Sequence, residues 1–285
     1  MRRDRPNEPA KLVRFALLTP LALLVAATFA LPIVWTLGSA LRPSVEIFRY
    51  LSPLTLRAIV PAALSLENFA ALLAGPFPRA VLNLLIVAGV TVAAGLLVCA
   101  MAAFGLSVPR FRLRDALFAV VVVSFLVPFD AIAIPLSELF RTWGLANSYA
   151  GLILPGIGNG LAIFLLRQFF LGIPSELREA AVVDGAGWWA IFWGIYLRLS
   201  APALVAAGLI LFVFQWQAYL WPLLVVSDPA LDVAPVALAK LLGQFDFDFG
   251  QVFAGAAIIA AIPVVILLPL QRFFTQSLAR SGIKD

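Results

Sequence analysis

The residues able to do chemistry here are few and of a narrow kind. The sequence has no histidine and one cysteine, Cys99. That excludes a Ser-His-Asp or Cys-His catalytic set, a His/Cys metal site and any disulfide within the chain. Carboxylates, amides and aromatic rings remain, and they gather in three places. The first is the stretch LGIPSELREAAVVDGAGWWAIFWGIYLRLS over 171–200. Pro174 and Ser175 predict a helix start, with Glu176 and Glu179 in the first turns, where carboxylates suit the helix dipole. Leu177, Ala180 and Ala181 recur at helical spacing and give a small apolar face. Asp184-Gly185 permits a sharp turn because glycine tolerates positive φ, and a tryptophan-rich helix follows. The second place is Gln215-Trp216-Gln217 with Tyr219 and Trp221, to which Asn159 and Ser137 can add. Planar amides and hydroxyls beside aromatic faces suit binding rather than bond-breaking. The third is Asp130, between Pro128 and Pro135 in an otherwise apolar run.

The elements that must carry these groups are apolar helices. Of 285 residues, 63% are hydrophobic and only 12% charged, and the mean hydropathy is +1.03. Soluble domains are more evenly balanced, whereas runs of this kind read as membrane-spanning helices of roughly 20 residues each. Spans are predicted at about 15–41, 80–108, 116–138, 149–170, 201–226 and 252–274. This is an all-α integral membrane protein with six transmembrane helices. One membrane domain fills residues 1–285, with no repeat, low-complexity tract or soluble domain. The run at 15–41 is too long for a secretory signal and lacks a small-residue cleavage site, so it reads as a retained first helix. Cys99 lies within an apolar run and reads as a small packing residue.

Orientation follows from the basic residues, which concentrate on the cytoplasmic side of a membrane. With the N-terminus inside, 14 of the 20 Lys and Arg fall on the cytoplasmic side. They include Arg2, Arg3, Arg5, Lys11 and Arg14, the turn Pro109-Arg-Phe-Arg-Leu-Arg-Asp115, and then Arg167, Arg178, Arg198, Arg272, Arg280 and Lys284. Both termini are then cytoplasmic, and the net charge of +5 speaks of topology rather than of nucleic acid. The proline-rich residues 42–79 lie along the outer face, and 227–250 form an acidic outer segment with Asp228, Asp232, Asp246 and Asp248. From pattern alone, 171–200 is either a rigid helix–turn–helix passing motion between a cytoplasmic partner and the spans, or an amphipathic loop lying on the membrane. Trp221 belongs equally to a binding site or to an aromatic belt at the outer interface, whereas Gln217 inside a span needs a polar partner or a wet cavity. Asp130 marks a functional position by its depth. It faces a cavity, closes an outer gate against Arg141, or sits hydrated near the surface.

The segment 171–200 resembles a known loop. Glu179-Ala180-Ala181, three residues, Gly185, nine residues, Ile195, one residue and Leu197 match the EAA loop of permeases from binding-protein-dependent ABC importers. Ile173-Pro174, Glu176-Leu177 and Asp184-Gly185-Ala186 match as well, while Arg198 stands where the family usually has proline, with Pro202 four residues later. The likeness runs from about Asn68 to the C-terminus and is closest to the carbohydrate-uptake branch, in particular to the smaller permease of the maltose importer. Its markers are Arg79 to Asn83, Asn147-Ser-Tyr-Ala-Gly-Leu-Ile-Leu-Pro155, Phe164-Leu-Leu-Arg-Gln-Phe-Phe170, Trp216-Gln-Ala-Tyr-Leu-Trp-Pro-Leu223 and Gln271-Arg-Phe-Phe274. Gln217 replaces the family's usual asparagine.

The resemblance implies a type I importer permease whose 171–200 loop is a coupling helix docking into an ATPase subunit. It implies a dimeric ATPase below, a second, homologous permease beside and an extracytoplasmic solute-binding protein above, in a bacterial inner membrane. The chain has no G-x-x-x-x-G-K-[ST] pattern, so ATP and Mg belong to the partner ATPase. Closure of the ATPase pair would rock the spans between two states of unequal ligand affinity. A sugar ring, with its apolar face and polar rim, fits Gln215, Trp216, Gln217 and Tyr219. The glycerol-3-phosphate permeases of the same branch share the Ser148-Tyr-Ala-Gly and Tyr219-Leu-Trp-Pro-Leu segments. A phosphate, however, calls for Arg or Lys in the cavity, and the spans carry these only near their ends. An ion-coupled transporter is suggested by Asp130 and the proline-broken third span, and a membrane scaffold by the aromatic belts. Neither accounts for the loop's spacing.

Overall fold

Long apolar stretches satisfy their backbone polar groups internally only as helices, and the chain obeys. A computed structural model describes residues 8–53, 55–61, 63–243 and 248–281, with side chains described between 17 and 269. Asp246, Arg2, Arg3, Arg5 and Lys284 lie outside the described residues, as do the side chains of Lys11, Arg14, Arg272, Arg280 and the Gln271–Phe274 marker. In chain order the α-helices are α1 Glu8–Ala40, α2 Glu67–Ala74, α3 Phe77–Gly105, α4 Arg114–Leu126, α5 Phe129–Thr142, α6 Tyr149–Ile157, α7 Gly160–Leu171, α8 Ser175–Val183, α9 Trp188–Ile191, α10 Ala201–Trp216, α11 Leu220–Val225, α12 Ala234–Leu242 and α13 Phe249–Ser281. A π-helical turn, Phe192–Leu197, continues α9. Among the described residues there is no strand element.

Three stretches are long and apolar enough to cross a membrane unbroken: Leu17–Ala40, Phe77–Gly105 and Phe249–Pro269. Three bent helix pairs pass the same test of length and composition, each as a broken span or a re-entrant turn. The α4–α5 pair turns by 96°, α6–α7 by 41°, and the α9 segment with α10 by 87°. Counting each pair once gives six. Proline stands at the junction in two of the three bends. Pro128 drives Val127 to φ −72°, ψ 120° and ends α4 at Leu126. Pro202 sits in the first turn of α10, where its missing N–H costs nothing. The fifth expected span, 201–226, is interrupted: α10 ends at Trp216, and α11 resumes at Leu220. Pro222 has no N–H for the Ala218 carbonyl, which removes one of the hydrogen bonds that would carry a helix through the gap.

The chain forms two compact units. One comprises residues 1–75 and 241–260. Its hub is Arg42, 1% exposed, whose guanidinium donates to the carbonyls of Gly38, Arg57 and Ala58, each at 3.1 Å. Burial pulls this group below its ordinary pKa, and Glu46 and Tyr50 oppose the shift. Asn68 donates to the carbonyls of Ala40 and Arg42 and accepts from the Ser44 hydroxyl. Trp35 meets Phe253, and Phe48 meets Phe249, edge to face at 5.0 and 4.8 Å. Arg42, the first residue of the 42–79 segment, is therefore the pin of the 38–59 turn.

The other unit, 76–240 and 261–285, is built around α3, which packs on α6, α7 and α10. Cys99 is fully buried there, and its thiol donates to the Ile157 carbonyl at 3.5 Å. That carbonyl is freed where α6 stops, so Cys99 both fills space and meets an orphaned acceptor. Near the same C-terminal end of α3, Phe104 joins Cys99, Ile163, Leu166, Phe170, Ile191, Phe192 and Tyr196 in one apolar cluster.

Candidate functional site

The helix α8 is short and amphiphilic, and it is not buried. Glu176, Glu179, Ala180, Asp184 and Gly185 are all exposed, and Val183 is 87% exposed. Glu176 lies in the first turn, following Pro174 at the cap position. Arg178 pairs with Glu179 at 3.0 Å. The helix ends on a complete Schellman turn: Gly185 has φ +80°, its N–H donates to the Val182 carbonyl at 3.0 Å, and Ala186 N–H donates to the Ala181 carbonyl at 2.8 Å. Ala181 and Ala186, the two residues that flank the turn, both pack against the core cluster. This accounts for small residues at 181 and 186 and for glycine at 185.

The turn hands the chain to α9 and the π-helical turn, which are bolted to the bundle. Phe104 of α3 meets Trp188, Phe192 and Tyr196 at 6.3, 5.2 and 5.1 Å between ring centres, and Tyr196 meets Phe170 of α7 at 5.5 Å. Such pairs contribute about 0.5–1.5 kcal/mol each beyond the area they bury. An exposed helix is thus joined by the short turn 184–187 to a rigid aromatic base on α3 and α7. Arg198, where the resemblance expects proline, keeps its N–H and donates it to the Ile195 carbonyl.

Arg167 stiffens the same end. It is 8% exposed, donates to the Leu106 carbonyl at 2.9 Å, pairs with Asp115 at 3.2 Å and lies 3.8 Å over the Phe118 ring. From sequence it was one topology marker among many. Its place inside the apolar marker Phe164–Phe170 was the signal that it is buried and partnered.

The pathway candidates fall into three kinds of position. Gln215 and Trp216 are buried on α10. Gln215 lies so near Gly156 of α6 that a Cβ there would sit 2.7 Å from its Oε1, and equally near Thr91 of α3. Trp216 stacks on Phe212 at 5.2 Å. Gln217 and Tyr219 are exposed in the gap between α10 and α11. Non-helical backbone of this kind inside a membrane protein is tolerated against protein or a wet cavity, not against lipid. Asn159 is half-buried and caps α7, its Oδ1 accepting from Ala162 N–H at 3.0 Å. Ser137 is turned inward on its own helix, donating to the Ile134 carbonyl.

Two positions that the sequence leaves open have definite surroundings here. Trp221 is 5% exposed rather than part of a surface belt. Its indole N–H donates to the Gly151 carbonyl at 2.9 Å, and its ring meets Phe129 and Phe140 edge to face. Gly151 is the carbonyl that Pro155, lacking an N–H, leaves open four residues along α6. Trp221 therefore ties α11 to α6 at a proline-made gap. Asp130 is exposed in the first turn of α5, where a carboxylate suits the helix dipole. The Arg141 side chain pairs with Glu138 at 3.2 Å instead of with Asp130, so that gate pairing is absent from this state.

A polar latch was not anticipated. Asn83 of α3, 2% exposed, donates to the carbonyls of Ala230 and Asp232 and accepts from the Tyr149 hydroxyl at 2.7 Å. Asp232 holds Lys240 at 2.7 Å. Asn147, at φ +53°, donates its N–H to the Val225 carbonyl and accepts from Asp228 N–H at 3.0 Å. The markers at Arg79–Asn83 and Asn147–Pro155 carry these contacts.

Residues 95–280 match the family described as the binding-protein-dependent transport system inner membrane component. The chain is 32% identical to the arabinooligosaccharides transport system permease protein AraQ of Halalkalibacterium halodurans, over 91% of this chain and 93% of that one. It is 35% identical to the sn-glycerol-3-phosphate transport system permease protein UgpE of Rhizobium meliloti, over 88% and 90%. Its fold matches a chain in the crystal structure of a bacterial ABC transporter that imports the acidic polysaccharide alginate, with a TM-score of 0.79 at 20% identity over 95% of this chain and 99% of that one. A second structure of such a transporter, in complex with an alginate pentasaccharide-bound periplasmic protein, matches with a TM-score of 0.60 at 17% identity, over 93% and 94%. The chain belongs to the binding-protein-dependent transport system inner membrane components, as a multi-pass all-α permease.

Proposed function

We propose that this chain forms half of the translocation pathway of an ATP-driven importer that takes up a carbohydrate, a sugar or oligosaccharide delivered by an extracytoplasmic binding protein. The whole chain works as one permease domain, with both termini and α8 on the cytoplasmic side. A second, homologous permease completes the pathway, and a dimeric ATPase binds ATP and Mg. The observation that carries this reading is α8 itself. It is an exposed helix whose closing turn is fixed to an aromatic base on α3 and α7, in a chain without a phosphate-binding loop. Glu176, Glu179, Ala180, Ala181, Asp184 and Gly185 make the docking surface and its closing turn. Along the pathway, Gln217 and Tyr219 offer the accessible amide and ring, Gln215, Trp216 and Asn159 hold the surrounding helices, and Asp130 lines the approach.

The AraQ relatives support an oligosaccharide, and the UgpE relatives support glycerol 3-phosphate as the second reading. The sugar is preferred because Arg167, a buried cation of the membrane-spanning unit, is already engaged by Asp115, Leu106 and Phe118, leaving its charge spoken for. Affinity purification of the tagged chain from its native membrane tests the assembly. An ATPase and a second permease should copurify, and the reconstituted complex should take up an oligosaccharide in preference to glycerol 3-phosphate. A chain that purifies alone or as a homodimer refutes the importer reading, and preferential uptake of glycerol 3-phosphate refutes the sugar.

A further inference from the structure

The segment following α8 has a second face that the coupling role does not use. Ile191, Phe192 and Tyr196 point into the bundle, each 3% exposed or less, whereas Trp188, Trp189 and Trp193 are 53%, 65% and 53% exposed. The π-helical geometry of Phe192–Leu197 makes this division possible. With i→i+5 hydrogen bonding, residues five apart stand near one another. Ile191 and Tyr196 therefore share the buried side, and Trp188, Trp193 and exposed Arg198 share the open one. The segment meets α10 at 87°, so where α10 crosses a bilayer the indoles run along its surface.

Charge and shape at this end agree with one kind of partner. Exposed Arg110 and Arg112 follow the end of α3 that carries Phe104, the ring on which Trp188 rests. Beside Arg198, Leu199 enters an open groove of about 410 Å³, lined also by Gln168, Phe169, Gly172, Ile173 and Pro174. An apolar groove whose lining residue Leu199 follows an exposed arginine in the chain suits an acyl chain below a phosphate, and indoles prefer the headgroup level. We infer that Trp188, Trp189, Trp193 and Arg198 form a binding surface for anionic phospholipid of the inner leaflet, anchoring the base of the coupling helix to the membrane interface.

The inference rests on the proposed function only for the cytoplasmic placement of α8. The test uses the complete importer with a spin label at Trp193→Cys, at Trp189→Cys as a second variant, and at Val183→Cys on α8. Cys99 is buried, so the parent chain should take no label. In vesicles of phosphatidylcholine with phosphatidylglycerol, positions 193 and 189 should collide with oxygen more than with a water-soluble nickel chelate, and position 183 should do the reverse. Arg198→Gln should weaken the dependence of ATP hydrolysis on phosphatidylglycerol by about fivefold. Nickel access at 193 and 189 equal to that at 183 overturns the inference in favour of water. Protection there from both colliders overturns it in favour of a protein partner. Reaction of Val183→Cys with an impermeant thiol reagent from the outer side would overturn the topology, and with it the inner-leaflet placement, whatever depth 193 reports.

Discussion

Replacing Gly185 by alanine isolates the turn at the end of α8. No atom lies within 4 Å of where a Cβ would stand, so the substitution causes no clash with neighbours. Its whole cost is conformational, because φ is +80°. For an L-residue other than glycine this region costs roughly 1–2 kcal/mol. That lowers the population of the formed turn about 5- to 30-fold against alternatives in which the two Schellman bonds are open. Asparagine tolerates the same region better, so Gly185→Asn should lose less than Gly185→Ala. The bundle itself should be unaffected, because Phe104, Phe170 and Tyr196 make their contacts without α8. The assay is ATP hydrolysis by the reconstituted complex, stimulated by the binding protein, beside the melting temperature of the purified assembly. Expected is an ordering of wild type, Gly185→Asn and Gly185→Ala in stimulated hydrolysis, with melting temperatures nearly equal. Equal stimulation in all three would show that the turn does not set the position of α8, and the rigid-knob argument would fail.

Gln217→Ala should lower solute uptake while the complex still assembles; unchanged uptake removes Gln217 from the pathway. Trp221→Phe keeps the ring contacts with Phe129 and Phe140 but leaves the buried Gly151 carbonyl without its donor, a loss of about 1–3 kcal/mol that thermal unfolding should register. Tyr149→Phe removes one hydrogen bond of the Asn83 latch and should cost about 0.5–1.5 kcal/mol, whereas Asn83→Ala strands two carbonyls as well as the tyrosine and should cost more. Equal melting shifts for those two variants would mean that water replaces the asparagine. Gly156→Ala should destabilise by about 1–3 kcal/mol through overpacking against Gln215 and Thr91, and Gln215→Ala in the same chain should recover part of that loss; strict additivity would deny the contact.

What could be read in the sequence was what depends on one residue and its neighbours. Gly185 declared a positive φ because Asp184-Gly185 closes a helical pattern, and Pro128 declared the end of α4. The break after Trp216 was also encoded, though not where it occurs. No glycine or proline lies between 216 and 219, and the nearest residue that weakens a helix there is Pro222, whose effect falls on the carbonyl four positions back. A pattern search for apolar length passes over such a gap, which is why 201–226 read as one span.

Partnership between distant segments was not legible, and it decides what the polar residues do. Trp221 and Gly151 are 70 residues apart, and Arg167 and Leu106 are 61 apart. Nothing local distinguishes an indole that fills a proline-made vacancy from one that floats at an interface. The same reasoning explains where the accessible pathway candidates are left. A buried polar group must be matched, so the buried and half-buried ones that sequence nominated alongside Gln217 were free to be claimed by structure: Asn159 by the α7 cap, Ser137 by its own helix, Trp221 by α6. Gln217 and Tyr219 remain exposed in a helix gap where apolar lipid would be a poor neighbour for an amide. Their exposure makes sense if the missing neighbour is the lumen completed by a second permease, and that is the physical ground for placing solute contact at the α10–α11 break rather than at the more conspicuous aspartate on α5.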